Sequence, residues 1–171
     1  MSTVYSAHGS LLLHTCCGPC STYVARWFAD AGYQVTGFFY NPNIHPTEEY
    51  HKRRLAVAAW SEASGVPLVA DAVYDPDAWS AAVGQNMAQR CAACYRLRLL
   101  SVARQASERG YDAFSTTLLI SPHQQHEAIR RVGGEAAEKY RVPFIYRDFR
   151  PDFRQTFQLS RDLRSEERRG G

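Results

Sequence analysis

Two cysteine pairs carry the strongest chemical signal in the sequence. Cys17 and Cys20 form one Cys-x-x-Cys pair, and Cys91 and Cys94 form a second. Thiolates are soft ligands that suit zinc, copper(I) and iron–sulfur clusters. The pattern predicts that these four thiols lie within reach of one metal centre. The fifth thiol, Cys16, has no role in a closed zinc site, whereas a redox site uses it as a further ligand or a reactive group.

Two other interpretations of these cysteines stay open at this point. The segment Cys17-Gly18-Pro19-Cys20 matches the redox motif of thioredoxin-like thiol–disulfide oxidoreductases, whose first thiol lies exposed at a helix start. The second alternative is a nucleic-acid-binding module that a zinc ion holds together. Neither a Gly-x-Gly-x-x-Gly segment nor a P-loop occurs in the sequence, so nucleotide hydrolysis has no support.

Composition and charge indicate the compartment and one class of partner. Clustered cysteines in an odd number, here five, are typical of the reducing cytosol, and no apolar run approaches the ~20 residues of a membrane span. We therefore expect a cytoplasmic protein without a membrane segment. The net charge is +3, and most basic residues are arginines, which concentrate after residue 129. Arginine suits phosphate contacts and stacking on bases, so this end of the chain is a candidate for contact with nucleic acid.

Strand patterns alternate with helix patterns along the whole chain. This alternation predicts one metal-binding domain over residues 1–171, with an α/β, three-layer, Rossmann-like fold. Its mainly parallel five-stranded sheet carries helices on both faces. Strands are predicted at residues 10–14, 34–40, 66–72, 113–120 and 142–146, and helices at 20–31, 46–64, from 75, 91–108, 123–140 and 155–168. Ligands of such sheets bind beyond the carboxyl ends of the strands, so the loops after strands one, two and four should meet at one rim.

Several polar side chains fall on this predicted rim. His14 ends the first strand beside the cysteines and is a candidate catalytic group with Cys16 and His45, although buried histidines more often serve packing. Turn formation or helix capping would also account for many of the remaining candidates. The substrate-binding candidates are Asn41, Asn43, Tyr95, Arg98, Thr116, Thr117, Ser121 and His123.

Four separate motifs, in order over about residues 11–160, resemble the epoxyqueuosine reductases of the QueH type. Asp148-Phe149-Arg150 looks like a later segment of the same family. The motifs are Leu13–Cys20, Phe39–Pro46 with Glu49, Tyr50 and Arg54, Cys91–Tyr95 with Arg98 and Leu99, and Phe114–His123.

The resemblance implies a reaction and its cofactors. Enzymes of this type reduce epoxyqueuosine to queuosine at the wobble position of tRNA, with a [4Fe-4S] cluster and an additional iron beside it. The resemblance therefore implies a tRNA partner that carries epoxyqueuosine and an electron donor, which the sequence does not identify. Family members usually carry a later Tyr-Cys-Gly-Cys segment, and residues 160–171 contain no cysteine. With five thiols, we expect an additional iron to need Cys16 together with His, Asp or water.

Overall fold

A four-stranded parallel sheet forms the centre of the protein. The structure, a computed structural model, describes residues 8–69 and 74–169, and the side chains at 87, 88 and 164–169 are outside this description. Within it the strand order is β3-β2-β1-β4, and all pairs are parallel. The α/β fold and the parallel sheet are therefore confirmed. The strands are β1 (Gly9–His14), β2 (Tyr33–Phe38), β3 (Leu68–Val69) and β4 (Ala113–Thr116).

The helices of the described chain pack in two groups around this sheet. The first, second and sixth helices contact one another, and the fourth contacts the third, the fifth, β1 and β4. Two short 3-10 helices, Thr117–Ile120 and Arg150–Asp152, complete the described elements. None of these helices has the length and apolar character that crossing a membrane requires. The helices are α1 (Gly18–Asp30), α2 (Thr47–Ser64), α3 (Pro76–Val83), α4 (Met87–Glu108), α5 (His126–Tyr140) and α6 (Phe153–Arg169).

β1 lies at the centre because both of its faces are apolar. Leu11, Leu12 and Leu13 are fully buried, as a strand covered on both faces requires. Leu12 pairs with Thr36 of β2 on one side and with Phe114 of β4 on the other. The chain order changes direction between β1 and β4, which is where ligands of open α/β sheets bind.

The fourth predicted strand is correct only in its first half. Residues 113–116 form β4, but the next four residues form a 3-10 helix. The Thr116 hydroxyl accepts a hydrogen bond from the backbone N–H of Leu118 at 3.2 Å and so caps this helix. Local capping by a threonine side chain thus overrides the β-branched pattern.

The fifth predicted strand, residues 142–146, forms one isolated parallel bridge between Phe144 and Phe114. The Phe114 N–H donates to Pro143 O, and Phe114 O accepts from the Ile145 N–H, each at 3.0 Å. Pro143 has no N–H to donate, and the Ile145 carbonyl accepts from the Ser115 hydroxyl at 2.8 Å. The ladder therefore stops after one residue. Of the third predicted strand, Leu68–Val69 is present, and residues 70–72 lie outside the described chain.

Gly133 lies inside α5, where its lack of a side chain serves packing. A Cβ atom at this position would lie 2.2 Å from the Phe144 ring. The absence of a side chain lets the helix approach the sheet edge closely.

Candidate metal centre

Three thiols meet in the loop between β1 and α1. The Sγ atoms of Cys16, Cys17 and Cys20 all lie within 4.8 Å of one another, and no other such group of potential metal ligands occurs among the described residues. Cys17 is the N-cap of α1, and its Sγ accepts from the Cys20 N–H at 3.4 Å. Pro19 in the first turn has the backbone angle that a helix start needs. A helix N-terminus favours negative charge, so this position stabilises thiolates.

Thr117 fixes Cys16 from the neighbouring strand end. Its hydroxyl donates to the Cys16 Sγ at 3.1 Å and accepts from the Cys16 N–H at 3.0 Å. Hydrogen bonds from the Cys17 and Cys20 thiols hold the pKa of Cys16 well below its usual range. The hydrogen bonds that Cys17 and Cys20 make to Cys16 raise the pKa of Cys17 to about 12. They also raise the pKa of Cys20. A metal binds thiolates, so the protons that these three thiols still share leave when a metal binds.

His14 lies fully buried beneath this loop, and both of its ring nitrogens are engaged. Nε2 lies 2.9 Å from the Tyr40 carbonyl oxygen, which only accepts, so Nε2 carries the proton. Nδ1 then accepts from the Thr116 hydroxyl at 2.9 Å. Burial, aided by the Arg98 charge, lowers the pKa of His14 to about 4. His14 is therefore neutral and ties β1 to two neighbouring segments, with neither nitrogen free for a metal.

The loop after β2 brings two amide side chains to the same rim. The Asn41 Nδ2 donates to the Thr15 carbonyl at 2.9 Å, and Asn41 itself is 2% exposed. The Oδ1 atoms of Asn41 and Asn43 are buried and have no hydrogen-bond partner. The Tyr74 hydroxyl donates to the Ile44 carbonyl, which fixes the loop from the side of α3.

A cavity of about 320 Å³ joins the thiol loop to these amides. Arg98 lines it, is 5% exposed, and forms no ion pair with a carboxylate in the described part of the chain. Its Nε donates to the Cys94 carbonyl at 3.4 Å. The cavity is lined by Cys16, Cys17, Cys20, Asn41, Asn43, Ile44, Arg53, Arg98, Leu118, Ser121 and Gln124.

The second cysteine pair lies outside the three-thiol group. Cys91 is exposed, whereas Cys94 is buried against Trp79 and Val83 of α3. The Trp79 indole N–H donates to the Cys94 Sγ at 3.5 Å. The structure thus assembles three of the five predicted metal ligands, and the shared centre of both pairs stays a prediction.

The other predicted site residues fall into two sets. Thr117 forms a hydrogen bond with Cys16 in the thiol loop, and Ser121 lines the cavity. Thr116 is buried and forms a hydrogen bond with His14. His45 is exposed and packs on the Trp79 ring with 4.8 Å between the ring centroids, so it lies beside the second cysteine pair. His123 is exposed and faces the Phe153 ring edge-on.

Tyr95 contributes indirectly to the cavity. Its hydroxyl donates to the Gln124 Oε1 at 2.7 Å and accepts from the Gln125 N–H at 3.0 Å. Sequence reasoning missed Gln124 and Arg53. The signal for Gln124 was its place one residue after the predicted site residue His123. Arg53 pairs with Glu49 at 3.0 Å one turn earlier on α2, and that i,i+4 spacing on the helix after the Asn41 loop was its signal.

Comparison with known proteins supports a specific family. A family model described as epoxyqueuosine reductase QueH matches residues 11–165. The QueH of Dehalococcoides mccartyi is 33% identical over 153 residues, which cover 90% of this chain and 84% of that protein. The QueH of Thermotoga maritima is 34% identical, with 91% and 83% covered. The QueH of Histophilus somni is 38% identical over 78% of this chain, which spans only 56% of that longer protein.

Solved structures with the same fold are distant in sequence. The structure of a predicted tRNA methyltransferase subunit from Methanocaldococcus jannaschii has a TM-score of 0.56 at 12% identity, with 89% of this chain and 76% of that chain covered. A deacetylase of teicoplanin biosynthesis has a TM-score of 0.52 at 16% identity, with 90% and 83% covered. These likenesses concern the fold alone. None of the matches described here is a thioredoxin-like oxidoreductase or a zinc-stapled module, so those two alternatives are not favoured.

Proposed function

Because this chain belongs to the QueH family of epoxyqueuosine reductases, we propose that it reduces epoxyqueuosine to queuosine at the wobble position of tRNA. Membership of this family makes the protein an oxidoreductase. The observation that carries the proposal is the three-thiol group of Cys16, Cys17 and Cys20, which lies at the strand end where ligands of this fold bind.

The chemistry of the reaction requires a redox centre. Converting the epoxide to an alkene breaks both of its C–O bonds, consumes two electrons and two protons, and releases water. A pair of thiols supplies two electrons when it closes to a disulfide, and a one-electron metal centre supplies them in two successive steps. In either case an external reductant must restore the protein after each turnover.

The thiols fit an iron–sulfur cluster by their chemistry. Cys16, Cys17 and Cys20 provide three soft ligands within 4.8 Å, and Cys91 or Cys94 would complete a set of four. A bound [4Fe-4S] cluster supplies electrons one at a time. If the cluster takes Cys17, Cys20, Cys91 and Cys94, then Cys16 is the thiol left for an additional iron.

The chain's own residues would position the substrate. Arg98 puts a buried positive charge beside the thiolates and so offsets their negative charge. Ile44 and Leu118 line the cavity with apolar surface, which limits water around the reacting ring. We assign substrate contacts to Ser121 and Gln124, whose polar side chains line the same cavity.

The sequence-predicted organisation of the chain belongs to this proposal. We infer that residues 1–171 form one domain whose helices cover both faces of the sheet in three layers, which the two helix groups support. A cytoplasmic location is consistent with free thiols, since the described cysteines form no disulfide.

The arginines near α6 provide a surface for the tRNA backbone, and the structure distinguishes among them. Arg147 packs over the Trp27 ring at 4.2 Å, and Arg150 forms a 2.6 Å ion pair with Asp148. Arg154 is exposed. We therefore expect Arg154→Ala to weaken tRNA binding and to lower the salt dependence by about one phosphate contact. Arg150→Ala should have the smaller effect.

Turnover on the modified tRNA tests the proposed function. Protein reconstituted anaerobically with iron and sulfide receives a chemical reductant and epoxyqueuosine-containing tRNA, and mass spectrometry of the digested nucleosides measures queuosine. We expect conversion by the wild type and none by Cys20→Ala. An intact, reducible cluster that leaves epoxyqueuosine unchanged would contradict the proposal.

A further inference from the structure

Two buried acceptors in the thiol cavity lack a partner that the fold itself provides. The Oδ1 atoms of Asn41 and Asn43 are both buried without a hydrogen bond, and both residues line the cavity of the three thiols. Buried carbonyl oxygens are nearly always hydrogen-bonded in folded proteins, since an unpaired one loses its water without compensation. Two such residues on one cavity therefore point to a ligand that brings two donors.

The orientation of the Asn41 amide is fixed by its other end. Its Nδ2 donates to the Thr15 carbonyl at 2.9 Å, and a flipped amide would place two acceptors against each other. The Asn41 side chain also lies near the His14 ring. Neutral His14 gives its one N–H to the Tyr40 carbonyl, so it leaves no donor for the Asn41 Oδ1 atom. The hydrogen bond from Tyr74 to the Ile44 carbonyl holds the loop in place, so the acceptors are positioned before any ligand binds.

The surroundings select the kind of donor. A metal in this cavity would take the three thiols, which are softer ligands than an amide oxygen, so it does not account for the two unpaired Oδ1 atoms. Neutral hydroxyl groups donate hydrogen bonds and suit amide oxygens. Ligands of this site are therefore expected to carry two hydroxyls.

We propose that Asn41 and Asn43 accept hydrogen bonds from the two adjacent hydroxyls of the substrate's five-membered ring. This inference rests on the proposed function, because the epoxide of epoxyqueuosine belongs to a cyclopentane ring that also carries two neighbouring hydroxyls. Binding these hydroxyls on the amide side of the cavity turns the epoxide carbons toward the thiol side. The pair thus sets both the specificity for the ring and its orientation.

Two tRNAs that differ only in the ring test the inference. One carries epoxyqueuosine at the wobble position, and the other carries 7-aminomethyl-7-deazaguanine, which is the same base without the ring. Fluorescence anisotropy with metal-loaded protein and no reductant gives both affinities. We expect the wild type to prefer the first tRNA, and Asn43→Ala to reduce that preference roughly three- to tenfold. Its affinity for the second tRNA should stay unchanged.

Asn43→Asp is the matched control, since it keeps an acceptor at the same position and should retain more of the preference than Asn43→Ala. A wild type that binds both tRNAs equally, or an Asn43→Ala that weakens both equally, overturns the inference. Conversion of epoxyqueuosine by the wild type would leave the proposed function standing in either case. If the preference and its loss are seen without any conversion, the inference holds and the proposed function fails.

A measurement on the wild type alone covers the case in which the variants do not fold. During turnover, cis-1,2-cyclopentanediol presents two hydroxyls on one side of a free ring, whereas the trans isomer and cyclopentanol do not. We expect the cis isomer to inhibit at lower concentration than either comparison compound. Equal inhibition by all three overturns the inference.

Discussion

The two Cys-x-x-Cys pairs have the same spacing, but different parts of the fold hold them. Cys17 and Cys20 lie where a central strand meets a helix N-terminus, and Thr117 from the adjacent strand end fixes their neighbour Cys16. Cys91 and Cys94 lie inside α4, where Cys91 is exposed and Cys94 packs under Trp79. The helix begins at Met87, so Cys91 is already one turn inside it. Identical spacing thus gives a preassembled group in one place and two thiols in different environments in the other.

This difference suggests an order of metal loading. A preassembled group of three thiols loses little conformational freedom when it binds iron, whereas the α4 pair must bring an exposed and a buried thiol to one centre. The loop should therefore bind first. The following experiments test this ranking, beginning with the largest expected effect.

Removing one thiol from each region compares them directly. We expect Cys20→Ala to abolish iron retention after anaerobic reconstitution and dialysis, because it breaks the preassembled group. Cys91→Ala should lower iron affinity at least about tenfold while leaving some iron bound. Iron and sulfide analysis measures both. Equal losses of iron in the two variants would contradict the proposed order of metal loading. Full iron retention in a Cys91→Ala, Cys94→Ala double variant would show that the α4 pair holds no metal.

The stability that buried His14 gives to the protein should fall at acidic pH. The folded-state pKa of His14 is about 4 and its ordinary value is 6.5, so between these values the unfolded chain binds more protons. The stability that neutral His14 confers is complete above pH 6.5 and falls by about 3 kcal/mol as the pH drops to 4. Urea unfolding of the metal-free protein at several pH values measures this slope. His14→Gln should show a shallower slope, and an equal slope would contradict the assignment.

The two hydrogen bonds between Thr117 and Cys16 should contribute less to stability than neutral His14 does, by an amount that can still be measured. Thr117→Val removes a hydroxyl that serves both the N–H and the Sγ of Cys16. We expect a loss of about 2 kcal/mol in unfolding free energy, because the partly buried N–H loses its partner. The Cys16 pKa should rise, which slower alkylation of the metal-free protein at neutral pH would detect. Thr117→Ser keeps the hydroxyl and should behave like the wild type.

A substitution at Trp79, which contacts Cys94 of the second cysteine pair, should have the smallest effect on stability. Its indole lies 3.5 Å from the Cys94 Sγ, so a metal on Cys94 should quench its fluorescence. Trp79→Phe should cost about 1 kcal/mol and remove most of the quenching on iron loading. Trp60→Phe is the matched control, since Trp60 lies in the main core. Undiminished quenching in Trp79→Phe would place the metal away from Cys94.

The sequence predicted the elements around the thiol loop best, because their apolar patterns are clear and a general rule places ligands beyond the strand ends. The apolar run Leu11–Leu13 predicted a buried strand, which is present. The helical spacing of Val24, Trp27 and Phe28 predicted the first helix, which begins at Gly18 and not at residue 20. The rule that ligands bind beyond strand ends then predicted that the loops after β1, β2 and β4 meet, and the cavity contains residues from all three.

The features that sequence reasoning missed depend on contacts between distant segments. The pattern of residues 113–120 carries no sign that the Thr116 hydroxyl ends the strand by capping Leu118. Burial of Arg98 follows from how α4 packs, and a helix position alone does not reveal it. The unpaired Oδ1 atoms of Asn41 and Asn43 become visible only when every possible donor nearby has a position.

The central place of β1 also affects when the site can form during synthesis. His14 and Thr116, which join β1 to β4, are 102 positions apart in the chain. A ribosome adds that many residues in roughly 5–20 s. During this interval one edge of β1 has no partner strand, and Cys16 emerges long before Thr117, the residue that fixes it. Insertion of iron must therefore wait until most of the chain has left the ribosome, and the early thiols need a reducing environment until then.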